Sequence, residues 1–535
     1  MKTMISSIIL ASCLALPLAS CSDSDVAPEQ KDWSTTTYFY SADAAMQDTY
    51  YKPTVGYVGD PMPFFDPVAG DFKVLYLQDF RPNPEGTYHP IWGVSTKDAA
   101  HYTSLGELVA CGTKKSQDAA IGTGSTIYDE ASKLYYTFYT GNKYLPTGDE
   151  SAQAVMVATS PDFKTWTKDR TFLLKGQDFG YDKNDFRDPF VFKGDDGKFH
   201  MLISTKKGGK GSLAEFVSDD LKNWTDNGVF MTMMWDRFYE CPDLFKMGDY
   251  WYLVYSEIHH AVRRVQYFKG RTLDELKACT ANDVARWPDA HEGFLDSRGL
   301  YAGKTACDGT NRYLWGWCPT RSGKDNTAVG ASPAEPEWGG NLVCYKLIQH
   351  EDGTLTLGQV DAVSEKYNQD VAVEVKESQN MTEADGTYTL AGNVEQPDAY
   401  MLMGRLGNHN KISFTVTTSN EWDKFGISMV RGSDSKKYYT MVVNPENENN
   451  RKVNFEEQGV EGKGFIAGID GYVFARPADN VYNVTIYTDN SICVMYINDV
   501  CSYTNRIYGI QKNCWSINSY NAANVKISNL KISQY

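Results

Sequence analysis

The chain has 535 residues, too many for a single hydrophobic core, so two domains are expected. Its net charge of −16 excludes a nucleic-acid partner, whose phosphates demand a basic face, and fits a neutral substrate outside the cell. Aromatic residues make up 13%, with 12 Trp and 35 Tyr, a level that serves either sugar-stacking surfaces or the core of a large β protein.

Lys2 gives a modestly positive start, and an apolar stretch runs from Met4 to Ala19. It ends at Leu18-Ala19-Ser20-Cys21, which resembles the lipobox of bacterial lipoproteins. That resemblance makes residues 1–21 a signal peptide and Cys21 the lipidated residue of a membrane-anchored protein. An ordinary secretory signal cut near Ala19 is the alternative. Ser22, rather than Asp, follows the cysteine, which by the same resemblance implies an outer-membrane lipoprotein on the periplasmic face or the cell surface. Residues 22–48 are polar and irregular and read as a tether. No later apolar run has the length of a bilayer-spanning helix.

Residues 49–368 show short β segments divided by turn residues. One unit recurs: an apolar strand, a Ser-x-Asp turn and an aromatic. It runs through Trp92, Ser95, Asp98 and Tyr102, then Val157, Ser160, Asp162 and Trp166, then Phe216, Ser218, Asp220 and Trp224. A period of roughly 60 residues, with about four strands in each unit, predicts a five-bladed β-propeller. A bare all-β barrel is the alternative.

Residues 369–535 change to clean alternation. Val373 and Val375, Ile412, Phe414 and Val416, Val484 and Ile486, and Val525 and Ile527 each alternate with polar neighbours. One buried face per strand predicts a C-terminal β-sandwich, with hairpins at Asp385-Gly386 and Asp470-Gly471. The fold class expected is therefore all-β. Setting aside Cys13 and Cys21, nine of the 11 cysteines remain, so at least one stays unpaired within the chain. There is no Cys-x-x-Cys pair and no ligand spacing among the eight histidines, so neither a metal nor another cofactor is expected.

Three acidic residues sit beside a proline, or one residue from it, next to strand-like runs: Gly59-Asp60-Pro61, Arg187-Asp188-Pro189 and Glu240-Cys241-Pro242. Proline fixes the local backbone and ends strand pairing, which lets a neighbouring carboxylate face a pocket mouth. Asp-Pro is also a common turn dipeptide, so the signal lies in the set of three. Glycosyl transfer needs one carboxylate at the anomeric carbon and a second, protonated carboxyl at the leaving oxygen. Crowding holds a proton on one member, and Arg187 can keep another ionised or bind sugar hydroxyls.

These segments resemble glycoside hydrolase family 32, which includes invertases, levanases and inulinases. Asp60, Arg187-Asp188-Pro189 after Asp185-Phe186, and Glu240-Cys241 stand in that family's order. Tyr76-Leu77-Gln78, Ile91-Trp92-Gly93, Gly124-Ser125, Leu300-Tyr301-Ala302 and Leu314-Trp315-Gly316-Trp317 are similar too, as are Ile492–Asn498 and Arg506-Ile507-Tyr508 in the sandwich. The resemblance implies a retaining hydrolase of β-fructofuranosyl linkages in fructans or sucrose-like oligosaccharides. Asp60 becomes the nucleophile, Glu240 the acid and then the base, and Asp188 the residue that binds fructose hydroxyls and steadies the transition state. Retention requires the Asp60 and Glu240 carboxyls to lie about 5–5.5 Å apart. Gln78, Thr123, Arg187, Trp315 and Trp317 are the implied sugar-binding residues, and Cys241 is a support to Glu240 or a plain core cysteine.

Some positions depart from the family. Tyr57-Val58-Gly59 stands where the family has Trp-Met-Asn, and Met62-Pro63 where it has Asn-Gly. Val94 replaces a His, and the family's Trp between the Gln and the Trp-Gly segment has no clear counterpart, with Tyr88 the candidate substitute. Two other readings follow: a related propeller hydrolase acting on another glycan, or a non-catalytic surface lipoprotein that binds glycans.

Overall fold

The computed structural model describes residues 49–80, 87–143, 146–233, 238–257, 264–282, 293–321, 336–431, 437–456 and 471–535. The expected signal peptide with Cys21, the expected tether and Asp470 lie outside the described residues.

Five β-sheet blades form the first part of the chain. Their first strands are Tyr57–Asp66, Ala120–Asp129, Phe186–Lys193, Glu240–Met247 and Tyr301–Cys307. Each of these strands packs against the next, and the fifth against the first, which closes a ring around one axis. Later strands of each blade follow outward as an antiparallel meander. The fifth blade is tied to the first by pairing of Val58 with Gly340. This is the five-bladed propeller of the sequence reading.

The recurring Ser-x-Asp unit is a turn that follows the third strand in blades one to three. Asp162 accepts the backbone N–H groups of Lys164 and Thr165, and Asp220 those of Lys222 and Asn223. In the first blade Asp98 does the same for Ala100 and His101, and the hydroxyl beside it is Thr96, not Ser95. The next residue takes a left-handed backbone in all three turns: Ala99, Phe163 and Leu221 have φ of 58°, 59° and 63°. A side chain there is strained, and the Asx bonds hold it in place.

The sandwich packs two antiparallel sheets face to face, with Ile412, Phe414, Val416, Val484, Ile486, Val525 and Ile527 buried between them. Asp385 and Gly386 both have positive φ, as a two-residue hairpin of this twist requires. Two short helices, Leu273–Asn282 and Asp361–Lys366, interrupt the β pattern. The sequence reading did not anticipate the first, which opens on a Thr272-x-x-Glu275 cap in which the Thr272 hydroxyl accepts the Glu275 N–H at 3.1 Å. Cys111, Cys241, Cys307, Cys318, Cys344, Cys493, Cys501 and Cys514 are free thiols.

Buried polar groups join the two domains. Asp296 is fully buried and accepts the Thr504 N–H and hydroxyl and the Ser502 hydroxyl, each at 2.8 Å. Arg506, also buried, donates to the carbonyls of Cys318 and Pro319 and to Asn341. At the start of the described chain, the N–H groups of Thr49 and Tyr50 both reach Asp489 of the sandwich. A polar group buried without such partners costs about 1–3 kcal/mol, so these contacts fix one mutual orientation.

Candidate active site

The innermost strand of every blade carries a β-bulge, and the bulges hold the site. In the first blade Gly59 pairs with Leu77 and Met62 with Leu75, so Asp60 and Pro61 together face one residue. The same two-against-one count occurs at Asp188-Pro189, at Cys241-Pro242 and at Ala302-Gly303, while Thr123 is the extra residue of the second blade. Asp188, Cys241 and Ala302 take positive φ there. The prolines therefore do not end the strands, as the sequence suggested. They sit in bulges that re-aim one side chain toward the axis before pairing resumes.

Five blades thus bring their residues to one point. Asp60 Oδ2 accepts the Thr123 hydroxyl at 2.7 Å, and Oδ1 accepts the Trp317 indole N–H at 2.9 Å. Glu240 Oε1 accepts Arg187 Nη2 at 2.9 Å, and its other oxygen accepts the Tyr301 hydroxyl. The rings of Tyr301 and Trp317 meet edge to face with centroids 5.4 Å apart. One aromatic pair therefore holds both carboxyl groups.

The Asp188 carboxyl takes a backbone donor, and side-chain hydroxyls hold the backbone around it. Its Oδ2 accepts the Cys241 N–H at 3.0 Å, and its own N–H donates to Thr140 Oγ1 at 2.8 Å. Ser125 closes the clamp, donating to the Pro189 carbonyl and accepting the Val191 N–H. Glycine is required at position 124 by space: a Cβ there would lie 1.8 Å from the Phe138 carbonyl oxygen. Arg187 spans the acids, 4.0 Å from Asp188 and bonded to Glu240 and Asp185, with its guanidinium over the Phe238 ring at 3.9 Å.

Burial decides the electrostatics. It raises the Asp60 carboxyl above the ordinary aspartate range, against the bonds from Thr123 and Trp317 and with Glu240 adding to it. Burial pushes Asp188 up to about 7; Arg187 opposes the shift and Glu240 reinforces it. Burial also drives the Cys241 thiol well above its usual value, aided by the three acids, so it stays neutral and is no nucleophile. Lys304, fully enclosed, donates to the Gly124 carbonyl at 2.8 Å as a nearby positive charge.

Asp188→Asn should expose the energetic penalty of that buried acid. The unfolded chain releases this proton near pH 4 and the folded chain only near pH 7, so stability falls between those values by about 4 kcal/mol and stays lower above them. The variant lacks this penalty. Its stability relative to the parent should rise by about 2–4 kcal/mol from pH 4 to pH 8 in urea titrations. A pH-independent difference between the two proteins would refute the assignment.

Comparison with known proteins gives the family. The profile described as "Glycosyl hydrolases family 32 N-terminal domain" matches residues 50–361. The chain belongs to glycoside hydrolase family 32. The profile described as "GH32, BT1760-like, C-terminal domain" matches residues 353–532. An insoluble β-fructofuranosidase of Arabidopsis thaliana is 26% identical over 310 residues, 52% of this chain and 50% of that protein. Sucrose-6-phosphate hydrolase of Escherichia coli is 27% identical over 219 residues, 39% and 43% of the two chains. The chain spans about half the length of these relatives. Exo-inulinase from Aspergillus awamori shares the fold with a TM-score of 0.68 and 15% identity over 93% of this chain and 99% of that one. A variant of fructan 1-exohydrolase IIa from Cichorium intybus, in complex with 1-kestose, does so with 0.66 and 16% over 91% and 97%.

Within this family 32 chain, Asp60, Asp188, Glu240, Thr123, Arg187 and Trp317 converge. Trp315 does not join them. It is fully buried, packs on Phe72 and donates to the Tyr102 hydroxyl. Gln78 is also enclosed, with its amide N–H on the Val55 carbonyl and Oε1 unbonded among the described groups. Tyr88, between the second and third strands of blade one, bridges to Ala120 of blade two, and its carbonyl accepts from Cys111. Sequence reading gave no role to Tyr301, Thr140, Lys304 or Trp338. Only Tyr301 left a signal, in the segment Leu300-Tyr301-Ala302.

Proposed function

We propose that this family 32 chain is a retaining hydrolase of β-fructofuranosyl linkages in fructans or sucrose-like oligosaccharides. The observation that carries the reading is the pair of carboxyls on Asp60 and Glu240, presented by Trp317 and Tyr301 on one side, with Arg187 linking Glu240 toward Asp188.

Asp60 attacks the anomeric carbon of the fructosyl unit while Glu240 gives its proton to the departing glycosidic oxygen. The products of this half are the released alcohol and a fructosyl ester on Asp60. Water then attacks the same carbon. Glu240 takes its proton, and Asp60 leaves as carboxylate. The Tyr301 hydroxyl donates to ionised Glu240 and can accept from protonated Glu240, so this carboxyl keeps a partner in both protonation states of the cycle. Placing the proton on Glu240 also removes a negative charge that raises Asp188, and Arg187 then favours ionised Asp188. Charge on Asp188 stabilises the oxocarbenium-like transition state.

Proton NMR of the first fructose anomer released from inulin, levan or sucrose tests this reading. β-Fructofuranose before mutarotation is expected. The opposite anomer, or no fructose from any of the three, overturns it.

We further propose that Cys21 carries a lipid that holds the mature chain at the outer membrane. Leu18-Ala19-Ser20-Cys21 supports this. Cys21→Ser should move the protein from the membrane pellet to the soluble fraction on cell lysis. An unchanged distribution counts against the anchor.

A further inference from the structure

Gly59, immediately before the proposed nucleophile, is not there for backbone freedom, since its φ lies outside the left-handed range. It is there for space. A Cβ at position 59 would lie 2.1 Å from Cη2 of Trp338, 2.6 Å from Cζ3 and 2.8 Å from Cζ2. No side chain fits while the indole occupies that place.

The indole is held on two further sides. Its ring stacks on His89 with centroids 4.1 Å apart and planes 20° apart. It also tilts against Trp317, the residue that bonds Asp60, at 6.1 Å and 53°. His89 adopts a φ of 64°, a strained backbone for a residue with a side chain, and so pays a conformational cost to put its ring behind the indole. Trp338 remains partly exposed. Blades one and five thus build an aromatic wall beside Asp60, and glycine at 59 is the condition for it.

We infer that Trp338 is a specificity-determining residue of this site, a stacking face for the sugar ring bound beside Asp60. The inference rests on the proposed function. Where an amide side chain at position 59 would read hydroxyls, this chain offers an indole that packs on the C–H face of a furanose. Such a contact is nondirectional and is made alike in ground state and transition state, so it sets KM more than kcat.

Four variants test it, with sucrose and inulin as substrates: Trp338→Ala, Trp338→Phe, Gly59→Ala and the Gly59→Ala/Trp338→Ala pair. Trp338→Ala should raise KM about tenfold with kcat within about threefold, and Trp338→Phe should recover most of the loss. Gly59→Ala should lower kcat/KM by about 100-fold, because the displaced indole presses on Trp317 and Asp60. The double variant should be no worse than Trp338→Ala, since the added methyl group then has room. Independent losses that multiply in the pair, or a Gly59→Ala enzyme with parental kinetics, would overturn the inference, as would a fall in kcat alone for Trp338→Ala. Melting temperatures within a few degrees of the parent confirm folding. Calorimetric binding of inulin oligosaccharides to Asp60→Asn, with and without Trp338→Ala, separates this inference from the proposed function. Weaker binding by the pair of changes supports the wall even if the parent releases no fructose; equal binding refutes it.

Discussion

Asp60→Asn is expected to lower kcat for inulin and sucrose by about 10⁴-fold or more, with the protein still folded. The amide cannot form the fructosyl ester, so the first half-reaction has no covalent acceptor. Few atoms change. Thr123 and Trp317 both donate to Asp60; in the variant the amide oxygen can keep the Trp317 bond while the amide N–H donates to the Thr123 hydroxyl, which then accepts. The rearranged bonds cost at most about 1 kcal/mol, and the removal of a carboxyl that burial holds above its ordinary range offsets part of that. Steady-state kinetics beside a thermal melt check both halves. Residual activity within about tenfold of the parent, in a preparation free of contaminating enzyme, would remove Asp60 from the chemistry.

Glu240→Gln is the second large effect, and its form is diagnostic. The variant keeps the shape that receives Arg187 and Tyr301 but cannot deliver a proton. With sucrose or inulin, kcat should fall by about 10³- to 10⁴-fold, in line with the loss of general acid catalysis. A fructosyl donor whose leaving group needs no proton should react much faster in the first half-reaction, and the ester on Asp60 should then accumulate. Mass spectrometry of the quenched protein would show one added fructosyl unit. Equal losses with good and poor leaving groups, without any adduct, would assign Glu240 a role other than the acid.

Much of the architecture was legible because it is written locally. Alternation in Ile412, Phe414 and Val416 marks a strand with one buried face wherever it occurs, and all three are buried. The repeated Asx turn at Asp98, Asp162 and Asp220 marks the first three blades because each turn is closed by its own neighbours. The acids were visible for the same reason. Each keeps its proline and its adjoining residues.

Other features were not legible, since they depend on contacts between blades. Trp315 and Trp317 are two residues apart on one strand and look equivalent in sequence. Both rings face the first blade, but Trp315 meets Phe72 and Tyr102 while Trp317 meets Asp60. Tyr301 reads as an ordinary core aromatic until blade five lies beside Glu240 of blade four. Gly59 reads only as a departure from the family's Asn until Trp338, far along the chain, is seen to occupy the space beside it.

By itself, the sequence determined the all-β character, the blade repeat, the sandwich alternation and the three acids, because strand pattern and turn chemistry act over a few residues. Tertiary structure alone decided which way those acids point and what surrounds them. A β-bulge inserts an extra residue and breaks the two-residue phase that sequence reading relies on, so the aim of Asp60, Asp188 and the Glu240-Cys241 pair follows only from pairing with the neighbouring strand. Their charge state likewise follows from burial and from partners on other blades, which no local stretch of chain encodes.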